Sequence, residues 1–232
     1  MGQKVNPLGF RVGITEDWKS KWYAAKPAYG EFLGEDYRIR RYIDQELNRK
    51  PPFAAISDIL IERTREEVKI TLRTARPGMV IGPKGEKAEE LREQIEELIK
   101  RKVGPINVIE IKNPDLNAQL VAESIAEQLK KRASFRRVLK MKADATMQAG
   151  AKGIKIVVSG RLGGAEIARS EQTVVGSIPL TTLQANVDYG FAVALTTYGT
   201  IGVKCWIFRG MYGEEVLETD VRPGGALRRG RR

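Results

Sequence analysis

Ala75-Arg-Pro-Gly-Met-Val-Ile-Gly82-Pro-Lys-Gly85-Glu-Lys-Ala88 reads as a short helical turn, a Gly-x-x-Gly loop and the opening of a long amphipathic helix. Pro77 suits the first position of a helix, where its missing N–H would be unpaired anyway. Gly82 and Gly85 put no Cβ between the loop backbone and an approaching partner, and they permit positive φ. The second helix opens at Gly85 or Glu86, so its free N–H groups and positive dipole end face the loop. Lys84 and Lys87 add formal charge. Backbone N–H donors and cations together bind a phosphodiester without reading the base.

Working outward, Val68, Ile70 and Leu72 alternate with Lys69, Thr71 and Arg73, the pattern of a half-buried strand. After the loop, Ala88, Leu91, Ile95, Leu98 and Ile99 recur at helical spacing among glutamates. Gly104-Pro105 ends that helix, and 106–111 reads as another strand. The order strand, helix, Gly-x-x-Gly, helix, strand resembles a KH module, whose loop clamps about four nucleotides of single-stranded backbone. Upstream, Asp36 to Asn48 carries a helical period through Tyr37, Ile39 (or Arg40), Ile43 and Leu47, stopped by Pro51-Pro52, and Ile56 to Arg63 is a strand. A helix and a strand ahead of the core unit predict the type II form of the KH fold. A P-loop is excluded, because the spacing from Gly78 would demand Gly-Lys-Ser/Thr at 83–85.

Forty Lys and Arg against 29 Asp and Glu leave +11 over 232 residues, which favours a polyanionic partner. No run of about twenty apolar residues is present, and the first residues lack the apolar stretch of a signal peptide. With one cysteine and no histidine, an internal disulfide, a Ser-His-Asp triad and a His-ligated zinc site are all excluded. Cys205 sits in a strand-like run and reads as a buried inert thiol. The many carboxylates read as solvated helix faces. The chain is expected to be cytosolic, to use no cofactor and to catalyse no reaction.

Residues 1–16 are predicted to form an extended arm that docks on something else. Trp18, Trp22 and Tyr23 interleave with Lys19, Lys21 and Lys26, either to stack on bases or to pack the arm onto the first domain. Asn113-Pro-Asp-Leu marks a boundary, with Asn117 as an N-cap. Two helical runs follow. Arg132, Arg136 and Lys140 are four apart and would stack on one side with Arg137 beside them, repelling one another unless something negative lies along them. Ala151 to Gly160 is a strand, and Arg161-Leu-Gly-Gly-Ala-Glu-Ile-Ala-Arg169 a tight turn into a short helix. There Gly163 and Gly164 let backbone approach a partner, flanked by Arg161 and Arg169. Segments 172–178, 183–194 and 200–209 read as strands, the last two paired around Tyr198-Gly199. The expected fold is α+β in two domains, 17–112 (core 39–112) and 113–212. The second is a two-layer α/β unit with a mixed or antiparallel sheet, and 213–232 is a basic tail, disordered when free.

The sequence resembles the bacterial form of the family of the third protein of the small ribosomal subunit, over essentially residues 1–212. Its matches are Gly2-Gln-Lys-Val-Asn-Pro-Leu-Gly-Phe-Arg11, Thr74 to Gly82, Lys84-Gly85-Glu86, Phe135-Arg-Arg137, Gly150-Ala-Lys-Gly153, Ser159 to Arg169, Thr196-Thr-Tyr-Gly199 and Ile201-Gly-Val-Lys204. The resemblance implies binding to 16S-type ribosomal RNA in the subunit head, beside head proteins such as the tenth and fourteenth. It also implies a place lining the channel through which messenger RNA enters, with Arg136, Arg137 and Lys140 assisting unwinding. Pro83 stands where relatives often carry a basic residue, so the loop's phosphate contact is expected to rest on Lys84 and backbone. Ser177, Thr181, Gln184 and Leu195 replace basic or histidine positions of the family, so no RNA contact is assigned to 172–195. The alternative reading is a free KH-type regulator that binds messengers away from the ribosome.

Overall fold

The alternation along 68–74 becomes strand β3 (Val68–Thr74), with Val68, Ile70 and Leu72 buried. It pairs antiparallel with β2 (Ile56–Arg63) and parallel with β4 (Asn107–Glu110). A parallel neighbour requires a crossover, which α3 (Pro77–Ile81), the loop and α4 (Glu86–Ile99) supply. This is the expected type II order. A two-residue strand, β1 (Ser20–Lys21), was not legible in the sequence and extends the sheet parallel to β2. The core joins Ile39 and Ile43 of α2 (Lys26–Ile43) to Ile61, Ile70, Leu72, Val80, Leu91, Ile95 and Ile99. The computed structural model describes residues 3–49, 53–64 and 67–212. The expected helix stop at Pro51-Pro52 and the basic tail 213–232 lie outside the described residues.

Several expectations need correction here. Helix α2 begins at Lys26, ten residues before Asp36, and continues as π-helical turns over Asp44–Arg49. Gly30 and Gly34 are weak helix formers that hide the period, and packing of Phe32 overrides them. Tyr37, placed on the apolar face by its spacing, is exposed. Glu35 and Asp36 are not solvated: their side chains keep 8% and 5% of their surface, against 3% for Arg63, which bridges both. Arg101 also reaches Glu35 at 3.0 Å, and the Trp22 Nε1–H donates to Asp36 at 2.8 Å. Trp22 packs on Tyr29 and Phe32, so of the interleaved aromatics it belongs to the core of this cluster. Trp18 and Tyr23 remain exposed.

The second unit stacks α5 (Ala118–Lys130) and α6 (Phe135–Gln148) on one face of an antiparallel sheet ordered β6-β5-β8-β7. Its strands are β5 (Gly153–Gly160), β6 (Arg169–Gly176), β7 (Ala185–Thr196) and β8 (Gly199–Met211). Asn117 caps α5 as expected, accepting from the N–H groups of Gln119 and Leu120. Val121, Ile125, Leu139, Ile154, Ile156, Val203, Cys205 and Ile207 fill the space between the layers. Burial pushes the Cys205 thiol up, away from thiolate. Gly190 lies where α5 meets β7, and a Cβ there would fall 2.2 Å from the Ala118 carbonyl oxygen, so only glycine fits.

The N-terminal arm is not extended throughout. Asn6 caps a short helix, α1 (Pro7–Arg11), by accepting from the N–H groups of Leu8 and Gly9. Arg11 is fully buried and donates to the carbonyls of Ala185 (2.7 Å), Thr182 (2.8 Å) and Pro7 (3.0 Å), and to those of Pro179 and Leu180 at 3.3 Å. The arm therefore docks on the second unit, clamping the loop ahead of β7. Burial pushes the Glu123 carboxyl up to about 7, opposed by a hydrogen bond from Gln119, with Asp44 adding the smallest push.

Candidate nucleic-acid interface

Two cationic sites are positioned differently. In the loop, Gly82 (φ 69°), Lys84 (φ 54°) and Gly85 (φ 86°) all take positive φ. For Lys84 that conformation costs about 1–2 kcal/mol, a strain of the kind stored where the backbone must face a ligand. Gly82 has a second constraint, because a Cβ there would come within 2.7 Å of the Lys87 stem. The exposed loop is flanked by Met79 and Ile81 of α3, which packs beside β4 with its exposed Ile109. The exposure of these three apolar residues was not legible in the sequence, because α3 and β4 are too short for periodicity to separate exposed from core positions. Glu86 and Glu89 occupy the first turn of α4, so its dipole is already complemented within the chain. A phosphate at this loop would thus meet Lys84 and backbone more than the helix end.

Lys84→Asp tests this contact. Aspartate tolerates the left-handed region, so folding should be unaffected. Affinity for an unstructured oligonucleotide should fall roughly tenfold at low salt in filter binding. Unchanged affinity would remove the loop from the interface.

On the second unit, Arg136, Arg137 and Lys140 are exposed on α6, while Val138 and Leu139 between them are buried. Arg137 and Lys140 line a shallow depression of about 450 Å³ with Met141, Asp144, Ala145 and Gln148. The start of α6 concentrates positive charge. Its first turn holds no acid, Ser134 makes no side-chain cap, and two arginines sit where the helix end is already positive. Arg132 does not join them on the helix. It ends α5 with φ 61°, in a turn closed by Ala133 N–H to the Gln128 carbonyl, so the expected stack of three reduces to Arg136 and Lys140 with Arg137 beside them.

The segment 161–169 also differs from expectation. Only Leu162–Gly164 forms a helical turn, and Arg169 opens β6 opposite Gly160. Gly163 and Gly164 face the chain's own rings, Phe135 and Tyr198, before any outside partner. Arg161 donates to the carbonyls of Ala165 (2.9 Å) and Tyr198 (3.1 Å), and Arg169 lies 5.7 Å from the Phe135 centroid.

Comparison with known proteins bears on both sites. A KH domain family matches residues 38–116, and the family described as "Ribosomal protein S3, C-terminal domain" matches 125–207. The small ribosomal subunit protein uS3 of Carboxydothermus hydrogenoformans is 51% identical over 225 residues, covering 97% of this chain and 99% of that protein. The uS3 of Staphylococcus aureus (strain N315) is 53% identical over 225 residues, with the same coverage. That of Rhodopirellula baltica is 48% identical over 233 residues, covering 100% of this chain and 98% of its own. The chain belongs to the uS3 family. Within this uS3-family fold the Gly-x-x-Gly loop falls in the KH match, and α6, the 161–169 turn and Tyr198 fall in the C-terminal match. RNA binding and a part in translation follow from the uS3 family. Among the described residues no helix is long and apolar enough to cross a membrane, and no cluster of three or more His, Cys, Asp or Glu could hold a metal ion.

Proposed function

We propose that this chain is a structural constituent of the small ribosomal subunit. In this reading it binds 16S-type ribosomal RNA in the head through the 17–112 and 113–212 domains and contacts neighbouring head proteins such as the tenth and fourteenth. It also lines the channel through which messenger RNA enters, presenting Arg136, Arg137 and Lys140 to the incoming strand. The observation that carries the messenger role is the start of α6, an uncapped helix end with two arginines and no acid. Each cation there opposes the dipole by about 0.3–1 kcal/mol, a cost that an approaching phosphate reverses. Such a helix needs no nucleotide hydrolysis of its own. It holds separated strands while translocation of the ribosome pulls the duplex open. Lys84, Lys87 and the glycines of the loop, with Arg132, Arg161 and Arg169, are the remaining RNA contacts of this proposal.

Sucrose-gradient sedimentation of a tagged chain tests the placement. The chain should co-migrate with small subunits in one-to-one ratio at moderate salt. Recovery chiefly on messengers outside that peak would favour a free regulator and overturn the proposal.

A further inference from the structure

Thr196-Thr-Tyr-Gly199 is the tip of the β7–β8 hairpin, and it has no place in the reading so far. The fold brings it together with 161–164 and the start of α6. The half-buried Phe135 ring lies between the Arg136 and Arg169 guanidiniums, at 5.6 and 5.7 Å from its centroid. A Cβ on Gly163 would come 4.0 Å from that ring, and one on Gly164 would come 3.1 Å from the ring of Tyr198. The two glycines thus form a bridge from Phe135 to Tyr198. Arg161 donates to the Tyr198 carbonyl at 3.1 Å, with its guanidinium 5.8 Å from the ring centroid. Tyr198 is oriented by these contacts, yet 54% of it remains exposed. Acids in the neighbourhood are Glu166 in the exposed turn and Glu171, 3.9 Å from Arg169.

We infer that the Tyr198 ring is a stacking platform for an unpaired RNA base, extending the cationic strip of α6 across the end of the second domain. This rests on α6 facing RNA. A positioned, half-exposed ring beside guanidiniums that stay charged offers a π-face to the base and cations to the flanking phosphates. Stacking is indifferent to base identity, as a site that meets every messenger in turn requires. Phe135 cannot serve in this way, since its ring packs partly into the core.

The test compares the full-length chain with Tyr198→Leu and Tyr198→Phe, by fluorescence anisotropy on an unstructured oligouridine 12-mer and on a ribose-phosphate oligomer of equal length without bases. Tyr198→Leu should bind the 12-mer about tenfold more weakly, with the same salt slope, and the base-free oligomer as tightly as wild type. Tyr198→Phe should match wild type on both. In the unsubstituted chain, 4-thiouridine in the 12-mer should crosslink to the peptide bearing Tyr198. Wild-type binding by Tyr198→Leu, equal loss on both oligomers, or no crosslink to that peptide would each overturn the platform. The joint alanine variant of Arg136, Arg137 and Lys140 separates the two readings. If it weakens both oligomers while Tyr198→Leu is neutral, the platform alone fails. If it too binds as wild type, the role of α6 fails with it.

Discussion

Replacing Arg136, Arg137 and Lys140 together with alanine should slow elongation through a stable messenger hairpin and leave an unstructured messenger at the wild-type rate. In the proposed reading the selectivity follows from the position of the three cations on one exposed helix face, where they would act on strands already separated and not on decoding. Losing three phosphate contacts on a single strand should flatten the slope of log affinity against log salt by about two. A fourfold rise in salt would then weaken wild type about sixteen times more than the variant. Stability should move the other way. Two arginines against the positive end of α6 are removed, each relieving about 0.3–1 kcal/mol, and alanine is the better helix former. A variant that binds more weakly yet melts no earlier separates a binding role from a packing role. Equal slowing on both messengers, or an unchanged salt slope, would remove α6 from the messenger path.

Arg63→Met should have the largest effect on stability. Arg63 is buried between Glu35 and Asp36, so the substitution strands two carboxylates in a site with little water. Arg101 and Trp22 retain one contact each, but the guanidinium that spans both acids and lies 5.0 Å from the Phe32 centroid is lost. Removing one partner from a buried pair costs about 3–5 kcal/mol. Denaturant unfolding followed by tryptophan emission should show this loss at pH 7, with Trp22 inside the cluster as the local reporter. Combining Arg63→Met with Glu35→Gln and Asp36→Asn should restore much of the loss, because what is expensive is the unpaired charge and not the missing bridge. A midpoint that Arg63→Met leaves unmoved would show that water reaches these acids.

The loop and α6 differ in what makes them costly. The loop stores strain at Lys84, whereas α6 stores electrostatic repulsion at its first turn. A phosphate would neutralise the cations of either element, but it would relieve only the repulsion at α6 and not the backbone strain at Lys84. The first-domain ion cluster is the opposite case, a set of charges fully satisfied within the chain and shielded by Trp22 and Phe32.

What the sequence by itself determined is everything carried by short-range pattern. The alternation at 68–74 and the helical spacing at 88–99 specify β3 and α4, because side-chain direction repeats with a fixed local period. The glycines at 82 and 85 specify the loop because backbone sterics are local. Charge balance and the absence of histidine limited the chemistry without any coordinates. Tertiary structure alone decided the rest. Nothing adjacent to Arg11 announces that its guanidinium will meet carbonyls more than 160 residues away. Glu35 and Asp36 look like surface residues until Arg63 and Arg101 arrive from other elements. Arg169, placed on a helix by its neighbours in sequence, instead opens a strand and lies beside Phe135. In each case the deciding interaction joins segments far apart in the chain, and its energy exists only once the sheets have brought those segments together.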